Sequence, residues 1–93
     1  MVITLCGSAR FRKEIDEVQK NLALKGHLIF TIENLQGIDI TEEIEKMLDK
    51  VHRQKIDLSD AIYVINVDGY IGESTSNEIE YARIKGKKVI YME

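Results

Sequence analysis

The sequence has little of the residues that build disulfide or metal scaffolds, with one cysteine and two histidines among 93 residues. A single cysteine, Cys6, excludes an internal disulfide framework and suits a reducing compartment. The cysteine and the histidines also lack the spacing of known metal-ligand motifs. We therefore predict that the protein holds neither a metal ion nor a cofactor.

Long runs of positive charge and long apolar runs are also absent. The formal net charge is −3, whereas general binding to a nucleic-acid backbone needs a basic face, so we predict no nucleic-acid polymer as partner. No apolar segment approaches the length of a bilayer span, and the start lacks the charged-then-apolar pattern of a signal peptide. The expectation is a cytoplasmic protein without membrane contact, folded as a single domain over residues 1–93.

Apolar periodicity predicts strands and helices in strict alternation. Short β-prone runs predict strands at 2–6, 27–32, 61–67 and 88–92, and stripes at three- and four-residue spacing predict helices at 9–24, about 41–58 and 75–85. This order predicts an α/β fold with right-handed crossovers. We expect a flavodoxin-like three-layer sandwich around a mainly parallel sheet of about four strands, in the order 2-1-3-4.

Local signals predict how the helices begin. Ser8 is the expected N-cap of the first helix, and Asp39 or Thr41 that of the second. The segment 75–78 (Thr-Ser-Asn-Glu) matches a capping box, in which the carboxylate of Glu78 accepts a hydrogen bond from the N–H of the capping residue. On spacing alone, this structural role is the favoured interpretation of Glu78.

The predicted strand order places a ligand site at one edge of the sheet. Strand order reverses between the first and third strands, and ligands of such sheets bind beyond the carboxyl ends of the strands at that point. The turn after the first strand should therefore meet the stretch 68–78, with the loop 33–39 closing over both. Glycines there allow close backbone approach, and a helix start offers N–H groups to an anion. The candidate binding residues are Cys6, Gly7, Ser8, Arg10, Asp68, Gly69, Gly72, Ser74 and Thr75.

Two of these candidates have competing interpretations. Arg10 stands at a helix start, where a cation is unfavourable unless an anion binds nearby, although a long side chain also reaches readily into water. Cys6 fits a small core residue better than a nucleophile, because no feature of the sequence marks a paired base. Phosphate loops of the Walker type and dinucleotide-binding glycine motifs are absent, so neither site is predicted.

Three segments together resemble one family of enzymes. They are Leu-Cys-Gly-Ser-Ala-Arg at 5–10, Ser-Asp-Ala-Ile-Tyr-Val at 59–64, and Gly-x-x-Gly-Glu-Ser-Thr-x-x-Glu-Ile-Glu-Tyr-Ala at 69–82. In this order they are similar to the nucleoside 2-deoxyribosyltransferase superfamily, which includes the 2'-deoxynucleoside 5'-phosphate N-hydrolases. The resemblance covers nearly the whole chain and implies a flavodoxin-like fold.

The resemblance also implies an activity and its residues. Glu78 matches the family's nucleophilic glutamate, which attacks C1' of a deoxyribonucleoside in the manner of a retaining glycosidase. The turn from Gly7 to Arg10 matches a nucleotide-contacting turn, and Ser74 and Thr75 would add hydroxyls for sugar or phosphate. His52 stands where the family carries an aspartate and is the candidate catalytic partner; a partly buried structural histidine is the other interpretation.

Three hypotheses follow about function. The first is an enzyme that cleaves or transfers at the N-glycosidic bond of a 2'-deoxynucleoside or its 5'-monophosphate. The second is a module of the same fold that binds a nucleotide without catalysis, and the third is an assembly protein with a vestigial pocket. The expected partners are a small-molecule nucleoside or nucleotide and other copies of the chain, in a homodimer or a higher homo-oligomer.

Overall fold

The computed structural model describes residues 1–93, which form one parallel sheet and three helices. The strands lie in the order β2-β1-β3-β4, all neighbours parallel. The predicted α/β sandwich and its strand order are therefore confirmed. No helix combines the length and apolar character that a bilayer crossing needs. The strands are β1 (Val2–Gly7), β2 (Leu28–Phe30), β3 (Ala61–Ile65) and β4 (Lys88–Tyr91), and the helices are α1 (Arg12–Leu24), α2 (Glu42–Asp57) and α3 (Glu73–Ile84).

The two central strands, β1 and β3, are buried on both faces, as their continuous apolar character indicates. Alternate side chains of each strand point to opposite layers. On one face Ile3, Leu5 and Ile65 pack with Ile15 of α1. On the other face the strands pack with α2 and α3 through Cys6, Ile56, Ile62, Val64, Ile79 and Ala82. This second layer carries the helices that define the site.

Several element boundaries differ from the sequence prediction, and the third strand, expected at 61–67, ends at Ile65 because a 3-10 helix begins at Val67. The strand expected at 27–32 is reduced to Leu28–Phe30, an edge strand that pairs only with the first half of β1. The first helix is preceded by a short 3-10 helix, Ala9–Phe11. Ser8 caps that short helix instead of α1, with its hydroxyl 3.4 Å from the backbone nitrogen of Arg10.

Helix α3 begins earlier than predicted, and the predicted capping box at 75–78 does not form. The N-cap is Gly72, in an extended conformation with no side-chain cap bond, and its carbonyl accepts the N–H of Ser76. Thr75 therefore lies inside the first turn, only 4% exposed. Glu78 is left free of a capping role and turns toward α2. By contrast Thr41 caps α2 as expected, its hydroxyl accepting from the N–H of Ile44 at 3.2 Å.

A buried pair of hydroxyls ties β1 to the end of α2 and allows a test of stability. Thr4 Oγ1 and Ser59 Oγ lie 2.6 Å apart, and Ser59 donates to the carbonyl of Lys55 at 2.8 Å. Thr4 must therefore be the donor to Ser59. We expect Ser59→Ala to lower the free energy of unfolding by about 1–3 kcal/mol in urea titrations, because the fully buried Thr4 hydroxyl loses its partner.

A double variant distinguishes the cost of the unpaired Thr4 hydroxyl from a simple loss of packing. In Thr4→Val with Ser59→Ala, both hydroxyls are gone and no polar group is left unpaired on this pair. Replacing both partners of a buried hydrogen bond is far less costly than removing one. The double variant should therefore recover most of the lost stability; equal stability of the single and double variants would contradict the assignment.

Candidate functional site

A cleft of about 840 Å³ opens at the carboxyl edge of the sheet. Its walls are the turn after β1, the segment that follows β2, one face of α2 and the start of α3. The structure thus brings together the three segments that the strand order places at this edge, and α2 adds a fourth wall. The volume lies within the range of small-molecule sites.

Glu78 and His52 meet at the base of this cleft. Glu78 lies in the second turn of α3 and His52 faces it from α2, with Glu78 Oε2 2.9 Å from His52 Nε2. The side chains are only 16% and 13% exposed, so the carboxylate is largely removed from water. Partial burial and a single specific partner make this carboxylate the strongest candidate for chemistry in the cleft.

Cys6 lies beneath the pair rather than in the cleft wall. Its Sγ is 3.5 Å from His52 Nε2, and the side chain is fully buried. Burial raises the pKa of the Cys6 thiol well above its ordinary value, and the charge of Glu78 and a hydrogen bond with it raise that pKa further. The thiol is therefore protonated at neutral pH. Cys6 and Glu78 contact the same ring nitrogen, which is not the arrangement of a Cys-His-acid triad.

Arg10 lies behind two residues that line the cleft. Its guanidinium donates to Tyr70 Oη at 3.1 Å and to Ser8 Oγ at 3.3 Å, and stacks over the Tyr70 ring at 4.3 Å from the centroid. Ser8 and Tyr70 are wall residues, whereas Arg10 itself is not. The cation is thus held at the rim rather than extended into water.

The remaining predicted binding residues divide into two groups. Five of them line the cleft together with Glu78 and His52: Gly7, Ser8, Gly72, Ser74 and Thr75. Asp68 and Gly69 do not, because they belong to a 3-10 helix, Val67–Gly69, where Asp68 has a positive φ of 53° and its N–H donates to the Glu93 carboxylate at 3.1 Å. Asp68 and Gly69 thus lie outside the lining of the cleft, since the loop turns away before α3 begins.

Sequence reasoning missed several polar wall residues. Asp49 lies three positions before His52 and therefore on the same face of α2, a spacing visible in the sequence. Four others come from the start of α1 and from the segment after β2, and no motif marks them: Arg12, Glu33, Asn34 and Gln36. The fold also brings together three possible ligand groups that no spacing in the sequence marks. Cys6, His52 and Glu78 place one ligand atom each within 4.8 Å of the others, although they are far apart in sequence.

Lys55 fixes the segment that follows β2. Its ammonium donates to the Thr31 carbonyl at 2.9 Å and to the Glu33 carboxylate. Burial tends to raise the pKa of Glu33, but the hydrogen bond from Lys55 and its positive charge outweigh burial, so the pKa is lowered. The ionised form of Glu33 is therefore the one that the fold stabilises.

A pH dependence of stability follows from this pair. A carboxyl group whose pKa is lowered on folding contributes stability that is present above its unfolded value, near 4.5, and is lost as pH falls through the lower folded value. Because Glu33 is 45% exposed, we expect less than about 1 kcal/mol. Unfolding curves at about pH 6 should show the parent more stable than Glu33→Gln, with a difference that shrinks as the pH falls below 4.5. If the difference in stability between the parent and Glu33→Gln did not change with pH, the proposed stabilisation of ionised Glu33 by Lys55 would be contradicted.

Comparison with known proteins gives a structural likeness without a sequence match. No family model and no curated protein matches the sequence. The structure is similar to a 2-deoxyribosyltransferase from Bacillus psychrosaccharolyticus, with a TM-score of 0.76 and 20% identity over 98% of this chain and 71% of that chain. It is also similar to a CMP N-glycosidase from Clostridium botulinum, with a TM-score of 0.60 and 19% identity over 98% of this chain and 70% of that chain.

One of these solved structures is a 2-deoxyribosyltransferase, the class of enzyme that the sequence resembles, and the other is an N-glycosidase. The predicted resemblance is therefore confirmed at the level of the fold, which is shared over almost the whole chain. At this identity the likeness concerns the fold and leaves the reaction to be argued from the cleft itself.

Proposed function

We propose that this protein cleaves or transfers at the N-glycosidic bond of a 2'-deoxynucleoside or its 5'-monophosphate, with Glu78 as the nucleophile. The observation that carries the proposal is the Glu78 carboxylate, sheltered from water and held by His52 at the base of a cleft of suitable size. The two structural neighbours, a 2-deoxyribosyltransferase and a CMP N-glycosidase, support this class of reaction.

The first step forms a bond from Glu78 to the sugar. His52 holds Oε2 of the carboxylate through Nε2, which leaves Oε1 free to attack C1' of the deoxyribose. The bond from C1' to the base breaks as the ester forms, and the base nitrogen takes up a proton. The base leaves from the face of the sugar opposite Glu78 and takes up its proton from water in the cleft, whereas His52 stays on the Glu78 side and orients the carboxylate through Oε2.

The second step returns the carboxylate. Water, or a second base acting as acceptor, attacks C1' and displaces Glu78 with a second inversion, so the configuration of the sugar is retained. The attacking group gives up its proton to solvent, and His52 again holds the restored Glu78 carboxylate. Hydrolysis and transfer differ only in which acceptor enters the cleft.

Arg10 is the proposed determinant for a 5'-phosphate. Its partners Ser8 and Tyr70 face the cleft, so a small movement of the guanidinium brings its positive charge from the rim into the cleft. Arg10→Met should reduce activity on a monophosphate by at least about 10-fold relative to the free nucleoside, since a charge-assisted hydrogen bond contributes about 1.5–3 kcal/mol. Lys13→Met is the control, because Lys13 is an exposed cation on the following turn. If Arg10→Met lost the same activity on the monophosphate and on the free nucleoside, Arg10 would have no role in binding the 5'-phosphate.

A substrate panel tests the reaction itself. The protein is incubated with deoxynucleosides, their 5'-monophosphates and the ribose counterparts, and free base is measured by chromatography. Release of a base by the protein supports the proposal. Silence on every compound, together with thermal stabilisation by a nucleotide that stays intact, would replace it with the non-catalytic binding module. Assembly into a homodimer or higher oligomer, and a cytoplasmic location, stay predictions, and light scattering measures the first.

A further inference from the structure

We propose that Cys6, His52 and Glu78 bind a zinc-like divalent cation, through Cys6 Sγ, His52 Nε2 and Glu78 Oε2, with the fourth position open to the cleft. The three groups come from β1, α2 and α3, and their ligand atoms all lie within 4.8 Å of one another. A thiolate, an imidazole and a carboxylate form a donor set that suits Zn²⁺.

The distances between these atoms are close to the edges of a tetrahedral site. With ordinary bond lengths to zinc, ligand atoms lie about 3.6 Å apart for sulfur and nitrogen and about 3.4 Å for nitrogen and oxygen. The structure has 3.5 Å from Cys6 Sγ to His52 Nε2 and 2.9 Å from that nitrogen to Glu78 Oε2. Of these two separations only the second needs to widen, by about half an ångström, and the third, from Cys6 Sγ to the Glu78 carboxylate, is within 4.8 Å.

A bound cation would explain why one nitrogen of His52 lies next to two different side chains. His52 Nε2 faces both a thiol and a carboxylate, but carries a single proton or a single lone pair toward them. A cation in the middle serves all three groups together: the thiol releases its proton to solvent, the imidazole offers its lone pair with its proton on Nδ1, and the carboxylate binds through one oxygen. Two of the ligands line the cleft, which provides a path for the ion.

Occupation of this site would block the carboxylate of Glu78. The binding itself is independent of the proposed function, because it needs no substrate. The consequence for activity rests on that function: Zn²⁺ should inhibit base release reversibly, with full recovery after a chelator is added. The cleft would then be sensitive to free zinc.

Titration with Co²⁺ and Zn²⁺ tests the site in the chelator-treated protein. We expect one Co²⁺ per chain with a thiolate-to-cobalt absorption band, displaced by one Zn²⁺. Cys6→Ser should lose the band and bind Zn²⁺ at least about 10-fold more weakly. Glu78→Gln changes a residue at the cleft surface rather than in the core, and should weaken binding while keeping the band. His27→Gln is the matched control, since it removes the other histidine and should bind as the parent does.

The possible outcomes distinguish the site from the function. A parent without a thiolate band, a Cys6→Ser variant that binds like the parent, or binding abolished by His27→Gln would each overturn the site. Cobalt bound with the thiolate band, but no base release from any compound, would keep the metal site and refute the enzyme. Base release by a protein that binds no metal would support the enzyme and refute the metal site.

Discussion

Replacing Glu78 by Gln is expected to lower base release by about 10³-fold or more, because the amide cannot form the glycosyl ester on which both steps depend. The change preserves the size of the side chain and its position opposite His52. The fold should therefore be unaffected, and circular dichroism and the melting temperature check this. Intact-protein mass spectrometry of the parent, quenched during turnover, should show an adduct with the mass of the sugar, which is absent in the variant.

Glu80→Gln provides the matched control for this substitution. Glu80 lies two residues further along α3, is exposed, and does not face the same direction as Glu78. The same loss of charge is thus made on the same helix outside the cleft, and activity should stay within about twofold of the parent, since surface changes of this kind usually alter free energies by less than about 0.5 kcal/mol. Comparable activity of Glu78→Gln and the parent would remove the nucleophile from the mechanism.

Gly7→Ala is expected to destabilise the protein by about 1–3 kcal/mol, because it forces extra volume between the two central strands. Gly7 pairs with Ile65 of β3. A Cβ added at Gly7 would lie 3.1 Å from both the Cβ and the carbonyl oxygen of Ile65. Neither atom belongs to a flexible side-chain end, so the strands must separate. For a chain of this length, each kcal/mol lowers the melting temperature by about 4–8 °C, which calorimetry resolves readily.

Gly72→Ala is the control for this effect. A Cβ at Gly72 would meet only the ring of Tyr70, with the closest atom its hydroxyl at 3.3 Å, and that side chain can move. Gly72 has a φ of −74°, which any residue adopts. We expect a cost below about 1 kcal/mol, mainly from the poorer N-cap that alanine makes. If Gly7→Ala and Gly72→Ala have the same melting temperature, the close approach of β1 and β3 does not explain the glycine at position 7.

The sheet could be predicted from the sequence because its determinants are local. Continuous β-branched runs identify β1 and β3, and the helical stripes between the strands require parallel crossovers. Right-handed crossovers limit the possible topologies, and 2-1-3-4 is the order expected of a reduced flavodoxin-like sheet. The length of β2 could not be predicted, because it depends on how far an edge strand finds a partner in β1. The start of α3 was predicted wrongly for a related reason. The capping-box pattern at 75–78 indicates a helix that begins at Thr75, but the backbone turn at Gly72 starts the helix at Glu73.

The site could be predicted only in part, because its key distance is a tertiary one. Sheet topology places the turn after β1 beside the start of α3. The contact of Glu78 with His52 depends on how α2 and α3 lie against each other, which no local pattern records. The resemblance to a family supplied both residues, by position and not by geometry. Asp68 and Gly69 lie outside the lining of the cleft, because a motif marks a segment without showing which of its residues turn toward the cleft.

The base of the cleft has a kinetic consequence for refolding. Cys6 and His52 are separated by 46 residues, and the contact with Glu78 also requires α3 to cross over β3. Each helix can form from local interactions, but these three side chains meet only after every crossover is complete, and long-range closure is the slow part of folding. In a refolding experiment the far-ultraviolet helix signal should therefore recover before the chemistry of the cleft does. The contact of Cys6, His52 and Glu78 at the base of the cleft is in this sense a reporter of a late stage of folding.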